Sequence, residues 1–367
     1  MTDIRDVNDW ATDWDHHHPD WVNDPFPIWD ELREQCPVAH TGRYNEGVWL
    51  PTRYEDVTAI ARDTETFSSG HDGATAGGTV PRGKFPPIHL DPPEHLDVRR
   101  VLLPFFAPHR MQEWEPGIRA HCESLAASLA TQDEVCIAQD YAAHIPASGI
   151  ATLLGIPASV GEKFRQWMHW FELGDNNTEL RDRSLREMAA YFGEAIEARR
   201  SDPGDDLISH LVTAEIDGER FDDATLQRIL VLQLVAGIDT TWGVLGASLW
   251  HLATHLDDRR RLVAEPELIP TAIEEFLRAY ASVSLYRRVT REATIGDTEV
   301  QPGDTVLMAF PAACRDPEAF ESCGRGDHRP TGEPTRGLRC RDPSLPRLEP
   351  GAAGTQDRDR DVARARP

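Results

Sequence analysis

Apolar positions recur at helical spacing over four long stretches, 111–131, 181–200, 223–255 and 268–280, and each predicts a helix. A shorter helical pattern covers Ile28–Gln35, and Val48–Leu50 followed by Tyr54–Ala61 reads as a strand and a short helix. Past the last helical stretch the pattern turns strand-like. Arg287–Thr290, Thr298–Gln301 and Thr305–Ala309 read as strands, the last two bracketing a Pro302-Gly303-Asp304 turn. Gly70–Gly83, rich in Gly and Thr, reads as a mobile loop. The 223–255 stretch stands apart: Ile229–Val235 and Val244–His255 are apolar nearly all round, which predicts a buried helix. There is no internal repeat. The pattern describes a mainly α chain with small β-sheets, and it stops near Ser322.

Composition shows why it stops there. The chain has 367 residues, with 38 basic and 62 acidic side chains and a net charge of −24. Its last 45 residues, 323–367, hold ten Arg, seven acids, six Pro, six Gly, no Phe, Trp or Tyr, and four aliphatic residues. Such a segment carries +3 and cannot build a packed core, leaving −27 on residues 1–322. The expected organisation is therefore a domain over 1–322 and a poorly structured tail over 323–367. The acidic body disfavours a charge-driven grip on nucleic acid or an anionic membrane. The start, Met1 to Asp6, has no signal-peptide core, and polar residues interrupt every apolar run before it reaches membrane-spanning length. Six scattered cysteines, Cys36, Cys122, Cys136, Cys314, Cys323 and Cys340, form no CxxC, as expected for a reducing, cytoplasmic setting. His16-His17-His18 has the look of a metal tract, but its loop-like setting before Pro19 favours a solvated run.

Four segments carry candidate chemistry. In Val235-Ala236-Gly237-Ile238-Asp239-Thr240-Thr241, an acid and two threonines sit mid-way along the apolar helix. They are costly there unless hydrogen-bonded or facing a cavity. With Gly237, a poor helix-interior residue, they suggest a local opening where a ligand meets the backbone. A buried helix with quietly satisfied polar groups is the alternative. In Glu274-Glu275-Phe276-Leu277-Arg278, Glu275 and Arg278 are three apart and can pair, which by itself fits an ordinary surface ion pair. In Asp91-Pro92-Pro93-Glu94-His95-Leu96-Asp97-Val98-Arg99-Arg100, the double proline can open a helix that puts His95 and Arg99 on one face. That pair suits a carboxylate or phosphate, or is a solvated charged face. The fourth, Ala312-Ala313-Cys314-Arg315-Asp316-Pro317-Glu318-Ala319-Phe320, is turn-rich and follows a strand.

In their order and spacing these segments resemble a bacterial cytochrome P450 over residues from about 20 to 322: DPPEH…RR its C helix, AGIDTT its I helix, EFLR the ExxR of its K helix, and AACRDPEAF its run toward the proximal face. The resemblance implies the P450 fold, haem b (heme b) as cofactor and monooxygenase activity. One atom of O2 would enter a small apolar organic substrate, with electrons from NAD(P)H through a ferredoxin reductase and a ferredoxin. It also implies roles by position. His95, Arg99 and Arg287 match holders of the haem propionates. Ala236 and Gly237 match the place where the I helix makes room for O2 and water, and Asp239 and Thr240 the acid–alcohol pair that delivers protons. Glu275 and Arg278 match a structural pair supporting the haem-binding region. The 70–88 loop matches the roof of the substrate pocket, and Val235, Ala236, Val283 and Leu285 match substrate-facing positions. At Ser282 many relatives have proline.

The family's axial cysteine loop, Phe-x-x-Gly-x-His-x-Cys-x-Gly, is missing from the printed frame, so no metal ligand is assigned. Neither Ser322-Cys323-Gly324-Arg325 nor Arg339-Cys340-Arg341-Asp342 has its Phe, its Gly turn or a following helix. Read one base later, however, codons 338–352 can spell Phe-Gly-Ala-Gly-Ile-His-Arg-Cys-Leu-Gly-Ser-Asn-Leu-Ala-Arg. Two of the three bases at each step are largely dictated by the printed residues, the middle one being a synonymous choice. The cysteine arises where Leu345 runs into Pro346. Upstream, codons 323–337 can spell Ala-Asp-Glu-Val-Ile-Ile-Asp-Arg-Gln-Glu-Asn-Arg-His-Gly-Ala, whose Asn-Arg-His would supply a partner for Glu275 and Arg278. The expectation is a frame slip near Ser322–Cys323, with a natural Arg/Pro-rich tail as the alternative. The printed chain is then a P450 fold truncated before its haem-thiolate loop and defective in haem ligation. Two other readings are a non-enzymatic remnant that binds a ligand or partner without turnover, and an unrelated acidic helical interaction protein.

Overall fold

The computed structural model describes residues 6–44, 47–70, 84–172 and 178–320. The predicted tail, most of the Gly70–Gly83 loop, Cys323 and Cys340 lie outside them. The chain begins with α1 (Trp10–Asp13), α2 (Pro19–Asn23), α3 (Phe26–Gln35), β1 (Val38–Thr41), β2 (Val48–Pro51), α4 (Tyr54–Arg62) and β3 (Phe67–Ser68). It continues through α5 (Glu94–Leu102), α6 (Pro108–Leu129), α7 (Ile145–Leu153), α8 (Gly161–Glu172), α9 (Thr178–Ser201) and α10 (Leu207–Thr213). After the hairpin β4 (Glu215–Ile216) and β5 (Glu219–Arg220) come α11 (Asp223–Thr254), α12 (Leu256–Ala264) and α13 (Ile269–Ala279). The last elements are β6 (Ser284–Val289), β7 (Ala293–Ile295), β8 (Thr298–Val300), β9 (Thr305–Ala309) and α14 (Phe310–Ala313). The architecture is mainly α with small β-sheets, as expected. These elements form two compact units.

One unit, residues 6–68 with 285–320, carries a five-stranded sheet in the order β1-β2-β9-β6-β3. β1 and β2 pair antiparallel, β2 and β9 parallel (Val48 opposite Thr305), and β3 and β6 antiparallel. All five residues of the central strand β9, Thr-Val-Leu-Met-Ala, are buried, as an interior strand covered on both faces requires. Two apolar clusters flank the sheet, one around Trp14, Trp29, Leu32 and Leu50, the other around Val57, Ile60, Val289 and Met308. The Arg315-Asp316-Pro317 segment is an anchor here. The Asp316 carboxylate accepts from the Tyr54 amide at 2.9 Å, at the start of α4, and from the Glu318 amide at 3.0 Å. The Arg315 guanidinium lies 3.7 Å over the Phe26 ring. Buried Arg33 donates to the Ala312 carbonyl at 2.8 Å.

The other unit, which holds the described residues from 69 to 284, is helical. Asp222 caps α11 by accepting from the Thr225 amide at 2.6 Å. Leu226, Ile229, Leu230, Leu234 and Ile238 of α11 then enter one core with Met188, Phe192 and Ile196 of α9, Phe164 and Trp167 of α8, and Ala147 and Ala151 of α7. α9 presents its three at i, i+4 and i+8, a single helical stripe. The expectation of a helix buried throughout holds only for this first half: from Asp239 to Thr254 no residue of α11 is buried. By length and composition α11 would suffice to cross a membrane, despite the polar interruption at Asp239-Thr240-Thr241.

The histidine run departs from expectation too. His17 alone is exposed. His16 packs 4.5 Å from the Tyr44 ring and 6.2 Å from Trp14, and His18 accepts from the Asp20 amide at 3.2 Å through Nδ1. Tyr44, from a later stretch of the sequence, joins neighbouring Trp14 in an aromatic wall that takes His16 out of water. Burial, helped by neighbouring His17, pushes the His16 pKa down to about 4. On acidification the unfolded chain therefore takes up this proton first. The stability that neutral His16 contributes is complete above pH 6.5 and is lost as pH falls toward about 4. His16→Gln should lose less stability between pH 7 and pH 4.5 than the parent, read from urea midpoints. Equal losses in the two proteins would show that His16 has no part in acid sensitivity.

Candidate functional site

The predicted site residues fall on four elements, except Val283, which lies between α13 and β6. α5 begins directly behind Pro92-Pro93, as the double proline implies. Before it, the Asp91 carboxylate accepts from the Ser69 amide at 2.7 Å and the Gly70 amide at 3.2 Å, fixing the chain's entry to the helix. Val98 and Leu102 bury the core side of α5. His95 and Arg99, one turn apart and half-buried, share another face, while Arg100 pairs with Asp97 at 2.8 Å.

On α11, Val235, Ala236, Gly237, Asp239 and Thr240 occupy two consecutive turns. The helix runs unbroken from Asp223 to Thr254, so the predicted opening at Ala236-Gly237 is not observed. Gly237 packs closely on α7 instead: a Cβ there would meet Cδ1, the flexible end of the Ile150 side chain. The Thr240 hydroxyl donates to the Ala236 carbonyl at 2.8 Å, and Asp239 is exposed. The acid and alcohol thus carry no desolvation cost, because the stretch of helix bearing them is the uncovered one. Val235 is half-buried against the helical core.

On α13, the expected pair is a two-armed fork. Arg278 donates to Glu275 from Nε at 2.9 Å and from a terminal nitrogen at 2.5 Å. Its side chains are only 13% and 18% exposed, which removes it from the class of surface ion pairs. Val283 follows, half-buried; Leu285 and Arg287 lie on β6 in the sheet-bearing unit. There Arg287 donates to the Tyr286 carbonyl at 2.9 Å.

Beside the fork lies a network that sequence reasoning missed. His251 near the end of α11 meets the Tyr280 hydroxyl through Nδ1 at 2.8 Å and the buried Asp258 carboxylate through Nε2 at 3.0 Å. With Asp258 ionised, Nε2 carries the proton and Nδ1 accepts from Tyr280. Burial pushes the His251 pKa down, against the pull of Asp258. Three helices are tied together by one imidazole. Residue spacings of seven and 29 carry no periodic signal that would have found it.

A haem-thiolate site asks for propionate donors, an open helix face and a cysteine thiolate. His95 and Arg99 have donor chemistry for the first, and the uncovered turn at Ala236–Thr240 suits the second. The third is not met among the described residues. Cys314 is buried in the sheet-bearing unit beside α14, Cys36 donates to the Val38 carbonyl at 3.6 Å, and Cys122 and Cys136 lie on and after α6. No group of three or more His, Cys, Asp or Glu side chains suited to a metal ion occurs among the described residues. The fit is to the distal half of such a site alone.

A long apolar helix bearing an acid–alcohol pair, a helix with a Glu–Arg fork and a small mixed sheet are the parts of a mainly helical scaffold. The cytochrome P450 family model matches residues 150–323. The putative cytochrome P450 YjiB of Bacillus subtilis is 31% identical over 81% of this chain and 76% of its own. The vitamin D(3) 25-hydroxylase of Pseudonocardia autotrophica is 31% identical over 81% and 74%. The solved structure of cytochrome P450 CYP109Q5 from Chondromyces apiculatus superposes with a TM-score of 0.76 at 28% identity, covering 88% of this chain and 83% of that one. The chain belongs to the cytochrome P450 family, whose members are haem-containing monooxygenases.

Since the fork is partly buried, shortening it should be felt. Arg278→Lys keeps the charge and loses the bidentate geometry, and should cost about 1–3 kcal/mol in urea unfolding. A change below about 0.5 kcal/mol would return the pair to the class of inert surface bridges.

Proposed function

We propose that the protein encoded without a frame slip is a haem-thiolate monooxygenase acting on a small apolar organic molecule, fed by a ferredoxin and its reductase. The observation that carries this reading is where Asp239 and Thr240 sit: on the uncovered face of an otherwise apolar helix. The haem, when bound, supplies the oxygen-activating chemistry. His95 and Arg99, with Arg287, would hold its propionates through charge-assisted hydrogen bonds. The Asp239 carboxylate, open to solvent, exchanges protons with water. The Thr240 Oγ, its own hydrogen committed to the Ala236 carbonyl, accepts a hydrogen bond from a neighbouring water and orients it. Val235, Ala236, Val283 and Leu285 offer apolar contact to the substrate. The vitamin D(3) 25-hydroxylase among the relatives supports an apolar organic substrate.

Asp239→Asn in the frame-restored protein should slow reductase-driven O2 consumption by about 10²-fold and raise its solvent deuterium isotope effect. An unchanged rate would take the carboxylate out of the proton path.

The printed chain is a different case. We propose 1–322 as an incomplete P450 domain and 323–367 as its out-of-frame continuation, lacking the thiolate. The reduced-CO difference spectrum separates the two proteins. The printed chain should show no band at about 450 nm, and the frame-restored chain should show one. A strong band from the printed chain would overturn the reading.

A further inference from the structure

α5 does not end as an ordinary helix. It runs from Glu94 to Leu102 and tightens at once into a 3-10 turn, Leu103–Phe106, with Pro104 inside it. In that tighter register the amide of residue 104 would serve the Val101 carbonyl, and proline has none. The donor comes from α10 instead. His210 Nε2 stands 2.9 Å from the Val101 carbonyl oxygen. A carbonyl only accepts, so Nε2 carries the proton. The same imidazole packs on the Phe105 ring, with centroids 5.0 Å apart.

Other contacts tie His210 back to the start of α6. The Arg110 guanidinium lies 5.2 Å from the centre of the Phe105 ring and forks onto Asp205 at 2.8 and 2.5 Å. The next residue, Asp206, caps α10 by accepting from the Ser209 amide at 2.8 Å, and it takes Arg199 Nε at 2.6 Å. These contacts close a ring: α10, the end of α5, the start of α6, the 205–206 corner and α10 again. Every member belongs to the helical unit. No spacing rule links His210 to Val101, 109 residues away.

We infer that His210 is a positioning residue for the face of α5 that carries His95 and Arg99. The inference rests on the reading of that face as a holder of haem propionates. Arg99 lies two residues before Val101, and its carbonyl accepts from the Leu103 amide. The last turn of α5 therefore carries both the Arg99 backbone and the carbonyl that His210 fixes. A charge-assisted bond to a carboxylate is strong when its donor is held in line. Fixing this turn sets where the Arg99 side chain starts before a ligand arrives, which lowers the ordering cost of binding.

The test compares haemin with haemin dimethyl ester, whose propionates are capped and uncharged, by quenching of tryptophan fluorescence in the frame-restored chain. The parent should bind haemin at least about tenfold more tightly than the ester. His210→Leu removes the donor and should weaken haemin about fivefold while leaving the ester within about twofold of the parent. His210→Gln, whose amide nitrogen can stand where Nε2 stands, should restore haemin binding. In the printed chain, without haemin, His210→Leu should speed hydrogen exchange at the end of α5 and leave α9 as it was. Equal weakening of haemin and ester, faster exchange in α9 as well, or no rescue by Gln would make His210 a purely structural residue and overturn the inference. Haemin binding or α5 exchange unchanged by His210→Leu overturns it too, and leaves the propionate reading standing. A parent that does not distinguish haemin from its ester sinks that reading, and this inference with it.

Discussion

The structure turns on covering α11. A 32-residue helix that is apolar on nearly every face is stable in water only if other elements remove it from water along its whole length. Each large aliphatic side chain left exposed forgoes about 1.5–3 kcal/mol of burial. The first half of α11 meets this demand through α7, α8 and α9. The contact is close enough at Gly237 that Ile150 occupies the space a β-carbon would take. The second half does not meet it. The acid–alcohol pair Asp239 and Thr240 stands at the changeover between the two.

Polar contacts tie the helices beyond α11 together. His251 reaches both Asp258 and Tyr280, and Arg278 clamps Glu275 on the helix that carries Tyr280 close behind. α12 and α13 leave Leu256, Val263, Ile269, Ile273 and Leu277 substantially exposed.

How much could be read in advance follows from which forces are periodic. The long helices were legible to within a few residues, because an apolar stripe repeats at 3.6 and caps such as Asp222 mark its start. β9 was legible to the residue, since Thr305–Ala309 lies between a turn and a proline. The β4–β5 hairpin was missed, although Asp217-Gly218 is a strong turn signal and both residues take the positive φ it requires. The site was legible as motifs and not as geometry. Gly237 looked like an opening and is a packing contact. His16 looked solvated and is walled in by Tyr44 and Trp14, and the His251 network links residues with no common period. The Glu275–Arg278 pair was visible, but its partial burial depends on neighbours that spacing cannot show.

We propose that the body to about residue 322 and the missing thiolate loop are parts of one gene, separated by a slip of one base. The nucleotide sequence across codons 318–362 tests this directly. The claim predicts third-position bases that, read one step later, spell the Phe-Gly-x-Gly-x-His-x-Cys-x-Gly loop and an uninterrupted apolar helix after it. Third-position bases that break the loop, or a stop codon in the shifted frame before the helix is complete, would contradict it.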